Sequence, residues 1–104
     1  MDALTKELQS FLVRLHYYPE SISHQMSHYV EHLVRLLPPE EEDTLLHYFG
    51  ILDHEQKALD ELAHDADMSA EDMIQQIDKN LRKLAITPEW LLMKQSLESH
   101  IDKN

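Results

Sequence analysis

The sequence predicts an all-α protein, a small domain of five to six helices that contains a helix-turn-helix. The 104 residues include one glycine, whereas a β-rich fold needs several for its tight turns. Apolar residues recur at steps of three and four, which is the helical period. Prolines and capping residues divide this pattern into helix-length segments without any linker or repeat. We therefore interpret residues 1–104 as a single helical domain with one core.

Residues 1–36 are predicted to form an N-terminal pair of helices. The first helix covers residues 2–17, where apolar side chains from Leu4 to Leu15 form one stripe, and Pro19 ends it. Ser21 is the expected cap of the second helix, which reaches Leu36 or Leu37 before the next prolines.

A third helix is predicted between Pro38-Pro39 and Gly50. Acidic residues 40–43 fill its first turn, where they complement the positive end of the helix dipole. The side chains expected to be buried are Leu45, Tyr48 and Phe49. Residues 53–55 are interpreted as a connector.

Two helices joined by a short turn are predicted next, over residues 56–64 and 69–84. Ser69 is the expected N-cap of the second of these, with Asp72 three residues later in a capping-box pattern. Ala63 leaves room for the two helices to cross closely. The side chains expected to point inward are Leu59, Leu62, Ala63, Met73, Ile77, Leu81 and Leu84. This pattern predicts the helix-turn-helix.

The last predicted helix covers residues 87–104. Thr87 is its expected cap, and Pro88 occupies the first helical position, where a missing N–H costs nothing. The residues expected on its apolar side are Trp90, Leu91, Leu97 and Ile101.

Composition excludes several classes of function. There is no cysteine, so disulfides and thiolate chemistry are excluded, and one glycine is too few for a phosphate-binding loop. No arrangement of acids, histidines and hydroxyls indicates an enzyme, a cofactor or a metal. No apolar run is long enough to span a membrane, and the polar N-terminus differs from a signal peptide. We therefore expect a cytoplasmic protein.

A more specific signal lies in residues 37–84. The segments LPPEEEDTLLHYFGI, LDHEQ and KALDELAHDADMSAEDMIQQIDKNLRKL follow one another without a gap. They resemble region 4 of the bacterial sigma-70-family RNA polymerase sigma factors. The positions that match that family's pattern are Leu37-Pro38, Glu41, Leu45, Phe49-Gly50, Leu59, Glu61, Ser69, Glu71, Gln75, Lys79 and residues 81–84. Asp67 stands where the family has a turn glycine.

The resemblance implies a transcription-related protein. In sigma factors this domain reads promoter DNA with its last helix and packs on the flap of the polymerase β subunit. The residues that correspond to contact positions here are Glu71, Gln75, Lys79, Arg82 and Lys83. Expected partners are RNA polymerase, another transcription regulator or promoter DNA, with a second copy of the chain, in a homodimer, as a further expected partner.

The charge balance favours a protein partner over DNA. The net charge is −11, and residues 37–84 carry 13 acidic and four basic side chains. The family's arginines are replaced by Ala70, Asp72 and Ile74, which removes contacts to phosphates. Glu71 and Gln75 remain, and these residue types can bind cytosine and adenine. The alternative is an acidic helical module for protein interaction or dimerisation that binds no DNA.

Two basic or titratable groups have simpler interpretations. Residues 79–83 end their helix with cations, which complement the negative end of a helix dipole with or without a partner. His24, His28 and His32 recur every four residues, a spacing at which two imidazoles can share zinc. We interpret them as a solvated polar stripe, and no metal is assigned.

Overall fold

The protein is all-helical in a computed structural model that describes the backbone of residues 2–102 and the side chains of residues 2–97. The six α-helices are α1 (Ala3–Tyr17), α2 (His24–Val34), α3 (Pro39–Phe49), α4 (Leu59–Asp65), α5 (Ala70–Ala85) and α6 (Pro88–Asp102), and a short 3₁₀ helix covers Pro19–Ser21. Residues 2–102 contain no β-strand. The all-α prediction is therefore confirmed.

Side-chain caps fix where four of the helices begin. The carboxylate of Asp2 and the hydroxyls of Ser23, Ser69 and Thr87 each accept a hydrogen bond from the backbone N–H three residues later. Gly50 ends α3 in the left-handed conformation at φ 65°. A Cβ there would lie 2.7 Å from the Cβ of Gln56, so both the backbone conformation and the space require glycine.

The predicted start and end of the second helix are wrong. Ser21 belongs to the 3₁₀ helix that begins at Pro19, and Ile22 is extended. Ser23 caps α2 instead, because its hydroxyl accepts from the Met26 N–H at 3.0 Å. The helix ends at Val34, short of the predicted Leu36 or Leu37.

The helix predicted over residues 56–64 begins later, at Leu59. The Lys57 N–H donates to the His47 carbonyl oxygen at 2.8 Å, and the His47 ring binds the Glu55 carbonyl oxygen. Ala58 is extended. These contacts to α3 hold residues 51–58 as a connector, and α4 starts only beyond it.

The core is built around α5, which packs against α1, α3, α4 and α6. Leu8, Leu12 and Met73 are fully buried there. The ring of Trp90 in α6 is also buried and lies against Phe11 of α1, with centroids 5.6 Å apart. The last helix therefore reaches the core from the side of α1 and α2.

Most predicted core positions are buried, with a few corrections. Tyr48 and Leu59 are only half-buried, and Leu91 is exposed because α6 turns Met93 inward instead. Leu46 is buried although the sequence analysis did not select it. Ile101 lies outside the residues whose side chains are described.

Within the described residues, none of the helices combines the length and apolar character required to cross a bilayer.

Candidate binding face of helix α5

Helices α4 and α5 are two separate elements joined by the turn at residues 66–69. Asp67 adopts a left-handed conformation at φ 57°, which Asp tolerates better than most residues other than glycine. The Met68 N–H donates to the Ala63 carbonyl oxygen at 2.8 Å, and the Asp67 N–H donates to that of His64. These two bonds form the pattern that ends a helix around a left-handed residue.

The two helices then pack against each other. Ala63 is 3% exposed and Leu62 is 6% exposed, so the inner side of α4 lies directly against its neighbours. Ser69 starts α5 by accepting from the Asp72 N–H at 3.1 Å. The short turn, the small residue at position 63 and this cap set the direction in which α5 leaves α4.

The five predicted contact residues lie on the outer side of α5. The inner side buries Met73, Ile77, Asn80, Leu81, Leu84 and Ala85. Glu71, Gln75, Lys79, Arg82 and Lys83 are all exposed. Their spacing of three, four and one residues places them along one side of the helix. We call this surface the outer face of α5.

Among the described residues, the last helix leaves these five side chains exposed. Trp90 of α6 is instead buried against Phe11 of α1. These five side chains of the outer face are therefore accessible to a partner.

Charge on the outer face is divided along the helix. Glu71 and Asp72 lie exposed in the first turn of α5, and Asp65 and Asp67 are exposed just before it. The last turn carries Arg82 and Lys83. Each half complements the adjacent end of the helix dipole.

Arg82 has two acidic neighbours. Its Nη2 lies 2.8 Å from the Asp78 carboxylate, one turn earlier in the same helix. Its charge also reaches Asp2 at the start of α1. Hydrogen bonds from the Thr5 N–H and hydroxyl, each 2.8 Å, lower the pKa of Asp2, and Arg82 lowers it further by a smaller amount. The basic half of the outer face is thus partly neutralised.

An apolar groove lies along one edge of the outer face. Its volume is about 290 Å³, and Ile74, Ile77 and Leu81 line it together with Tyr48 of α3 and Gln9 of α1. Ile74 is 39% exposed at the rim. The groove offers an apolar partner side chain a place beside the charged residues.

A second cluster was not predicted from the sequence. Among the described residues, one set of three His or acidic side chains brings its ligand atoms within 4.8 Å of one another, and it consists of Asp43, His47 and His54. The spacing of four between Asp43 and His47 was visible in the sequence. The contribution of His54 was not, because it depends on how the connector folds against α3.

The histidine stripe on α2 does not form such a set. The rings of His24 and His28 meet edge to face with centroids 4.9 Å apart. His24, His28 and His32 are all exposed. This placement agrees with a solvated polar stripe.

The fold and the outer face define a small all-α protein whose fifth helix presents a charged, uncovered side. Comparisons with protein-family models, with curated proteins and with solved structures found no match to this chain. The proposal of function rests on the geometry of α5 and on the resemblance of residues 37–84.

Proposed function

We propose that this chain is a sigma region-4-like helix-turn-helix protein that regulates transcription by binding a protein partner, either RNA polymerase or another regulator. The outer face of α5 is the binding surface. The observation that carries this proposal is the exposure of Glu71, Gln75, Lys79, Arg82 and Lys83 on one side of a helix whose other side is anchored in the core.

The arrangement of α4 and α5 supports the helix-turn-helix interpretation. A helix-turn-helix needs two short helices joined by a turn, with the second helix packed on the first and presenting its free side. Here Ala63 is buried where the helices pack, and the turn at residues 66–69 has a defined hydrogen-bond pattern. Asp67 takes the conformation that a turn glycine would take.

The charges favour a protein partner over DNA. A recognition helix meets DNA mainly with its N-terminal residues, and in this chain those residues are Glu71 and Asp72. Four carboxylates near this end would repel phosphates, and Arg82 already pairs with Asp78. Any DNA contact is therefore weak and limited to the basic half.

The same surface suits a protein of mixed character. A partner with basic groups opposite Glu71 and acidic groups opposite Lys79 and Lys83 would match both halves of the face. An apolar side chain of that partner would fill the groove beside Ile74. This apolar rim is unsuited to reading polar base edges and well suited to a protein interface.

The proposal is tested by titrating purified RNA polymerase, and its isolated β flap, with the protein and two matched variants. Lys79→Glu/Lys83→Glu reverses two charges on the outer face. Arg14→Glu/Arg35→Glu makes the same change in net charge on α1 and at the end of α2. We expect the first variant to lose at least about tenfold in affinity, equivalent to about 1.4 kcal/mol, and the second to bind like the wild type.

Equal losses in both variants would show that only net charge matters and would contradict the use of this face. If the protein does not bind polymerase, the same two variants are tested against the transcription regulators that the wild-type protein captures. If no transcription protein binds, the proposed function is wrong.

A duplex titration at physiological salt tests the exclusion of DNA as the main ligand. Non-specific DNA-binding proteins have dissociation constants of roughly 10⁻⁴ to 10⁻⁶ M under these conditions. We expect weaker binding than this range for any duplex. Binding inside or below the range, with a steep salt dependence, would make DNA the principal partner instead.

One observation favours the second candidate, a dimerisation module. Tyr29, Leu36 and Leu92 are 44%, 50% and 65% exposed, and they line a groove of about 490 Å³ between α2 and α6. A second copy of this chain would cover them. Dimerisation through this groove is tested by measuring the sedimentation of the Leu92→Glu variant. Ile86→Glu, at an exposed position outside the groove, is the control. A wild-type monomer at high concentration would rule it out.

A further inference from the structure

We propose that Asp43, His47 and His54 form a binding site for a divalent transition-metal ion of the zinc class. Asp43 and His47 lie one turn apart on α3, and His54 comes from the connector that follows it. Their ligand atoms lie within 4.8 Å of one another. The ion would tie the connector to α3 immediately before α4.

Hydrogen bonds orient both imidazoles for metal binding. The Nδ1–H of His47 donates to the Glu55 carbonyl oxygen at 2.8 Å, and that of His54 donates to the Leu52 carbonyl oxygen at 2.8 Å. A carbonyl oxygen only accepts, so each neutral ring carries its proton on Nδ1. The lone pair of each Nε2 is therefore free. A backbone carbonyl on the opposite nitrogen is the usual support of a metal-binding histidine.

The distances need only small side-chain rotations to close the site. His47 Nε2 lies 3.6 Å from Asp43 Oδ1, and the two imidazole centroids are 5.0 Å apart. In a tetrahedral zinc site with bonds of about 2.0 Å, neighbouring ligand atoms are about 3.3 Å apart. The side chain of Asp43 is 67% exposed, whereas that of His47 is 20% exposed. Asp43 can therefore turn inward while the histidine stays in place.

The backbone places His54 at the site by an unusual path. Leu52 and Asp53 both have positive φ, 53° and 66°, a conformation that residues other than glycine rarely adopt. The Lys57 N–H then returns the chain to the His47 carbonyl oxygen at 2.8 Å. The connector is thus folded tightly against the part of α3 that carries the other two ligands.

The donor set selects the class of ion. Two imidazole nitrogens and one carboxylate suit Zn²⁺, Co²⁺ or Ni²⁺, while Mg²⁺ and Ca²⁺ prefer oxygen ligands alone. Three protein ligands leave a fourth position for water or for a group from a partner. The site does not depend on the proposed function of α5, so either proposal can fail without the other.

The experiment is a calorimetric titration of the metal-free protein with zinc chloride, followed by cobalt chloride with absorption spectroscopy. Two variants remove ligands, Asp43→Asn and His54→Gln. The matched control is His24→Gln/His28→Gln, which removes the other close pair of histidines. We expect the wild type and the control to bind one equivalent of zinc alike. With cobalt, both proteins should show the absorption bands of a tetrahedral cobalt site.

Each ligand variant is expected to bind zinc at least about tenfold more weakly, since even the loss of a supporting hydrogen bond costs that much. Asp43 is exposed, so Asp43→Asn keeps the test valid if His54→Gln unfolds. No zinc binding by the wild type would overturn the proposal. The proposal would also be overturned if the control variant lost zinc binding while both ligand variants retained it.

Discussion

The inner and outer faces of α5 differ in burial and in charge. Met73, Ile77 and Leu81 on the inner face are at most 2% exposed, and α5 packs against four other helices. The outer face carries charged and polar side chains that contact no other helix closely enough to be buried. One face of the same sixteen residues therefore stabilises the fold, and the other is free to bind.

This division separates stability from binding. Replacing an inner residue removes buried apolar contacts and must lower the free energy of unfolding. Replacing an outer residue changes charge at the surface, where substitutions have small effects on stability. The two faces can therefore be tested independently, within one helix.

The removal of core contacts should lower the free energy of unfolding more than any other change. Leu81→Ala should lower the free energy of unfolding by about 2–5 kcal/mol, because it leaves a cavity between α5 and its neighbours. Ile74→Ala, at the 39% exposed rim, is the matched control on the same helix and should cost much less. Urea denaturation of both variants measures the difference. Equal losses would mean that the inner face does not carry the core.

A smaller loss is expected from Ala63→Leu. Ala63 is 3% exposed where α4 packs, and a larger side chain there must push the helices apart. Overpacking of this kind costs about 1–3 kcal/mol. Ala70→Leu, at the half-buried first residue of α5, is the control. An unchanged midpoint for Ala63→Leu in thermal denaturation would contradict the close packing of α4 and α5.

A single helix cap should contribute still less to the free energy of unfolding. Ser69→Ala removes the acceptor of the Asp72 N–H and should lower the free energy of unfolding by about 1 kcal/mol. Ser10, which is exposed in the middle of α1, caps no helix. Ser10→Ala should therefore leave stability unchanged or raise it slightly. If Ser10→Ala lowered the free energy of unfolding as much as Ser69→Ala, the cap would not explain the effect at Ser69.

The sequence predicted those parts of the fold that depend on local signals. The stripe from Leu4 to Leu15, the cap at Ser69 and the stop at Gly50 all follow from neighbours a few residues away. The structure contains the cap and the stop, and it buries the stripe from Leu8 onward and half-buries Leu4. The exposure of Glu71 and Gln75 also follows from the helical period. Local spacing was sufficient for each of these.

The misplaced elements depend on contacts between distant segments. Ser21 and Ser23 are both acceptable caps, and the 3₁₀ helix that begins at Pro19 decides between them. The start of α4 is delayed by the bonds from His47 to residues 55–57 of the connector. The same folding back of the connector brings His54 to Asp43 and His47. No local pattern encodes a contact of this kind.

We propose that the outer face of α5 binds a transcription protein without contributing much to the fold. Lys79→Glu/Lys83→Glu tests it most directly when affinity for RNA polymerase and free energy of unfolding are measured on the same samples. We predict an affinity loss of at least about tenfold together with a stability loss below about 1 kcal/mol, the scale of helix-dipole effects. Full affinity in this variant, with Arg14→Glu/Arg35→Glu impaired, would contradict the claim.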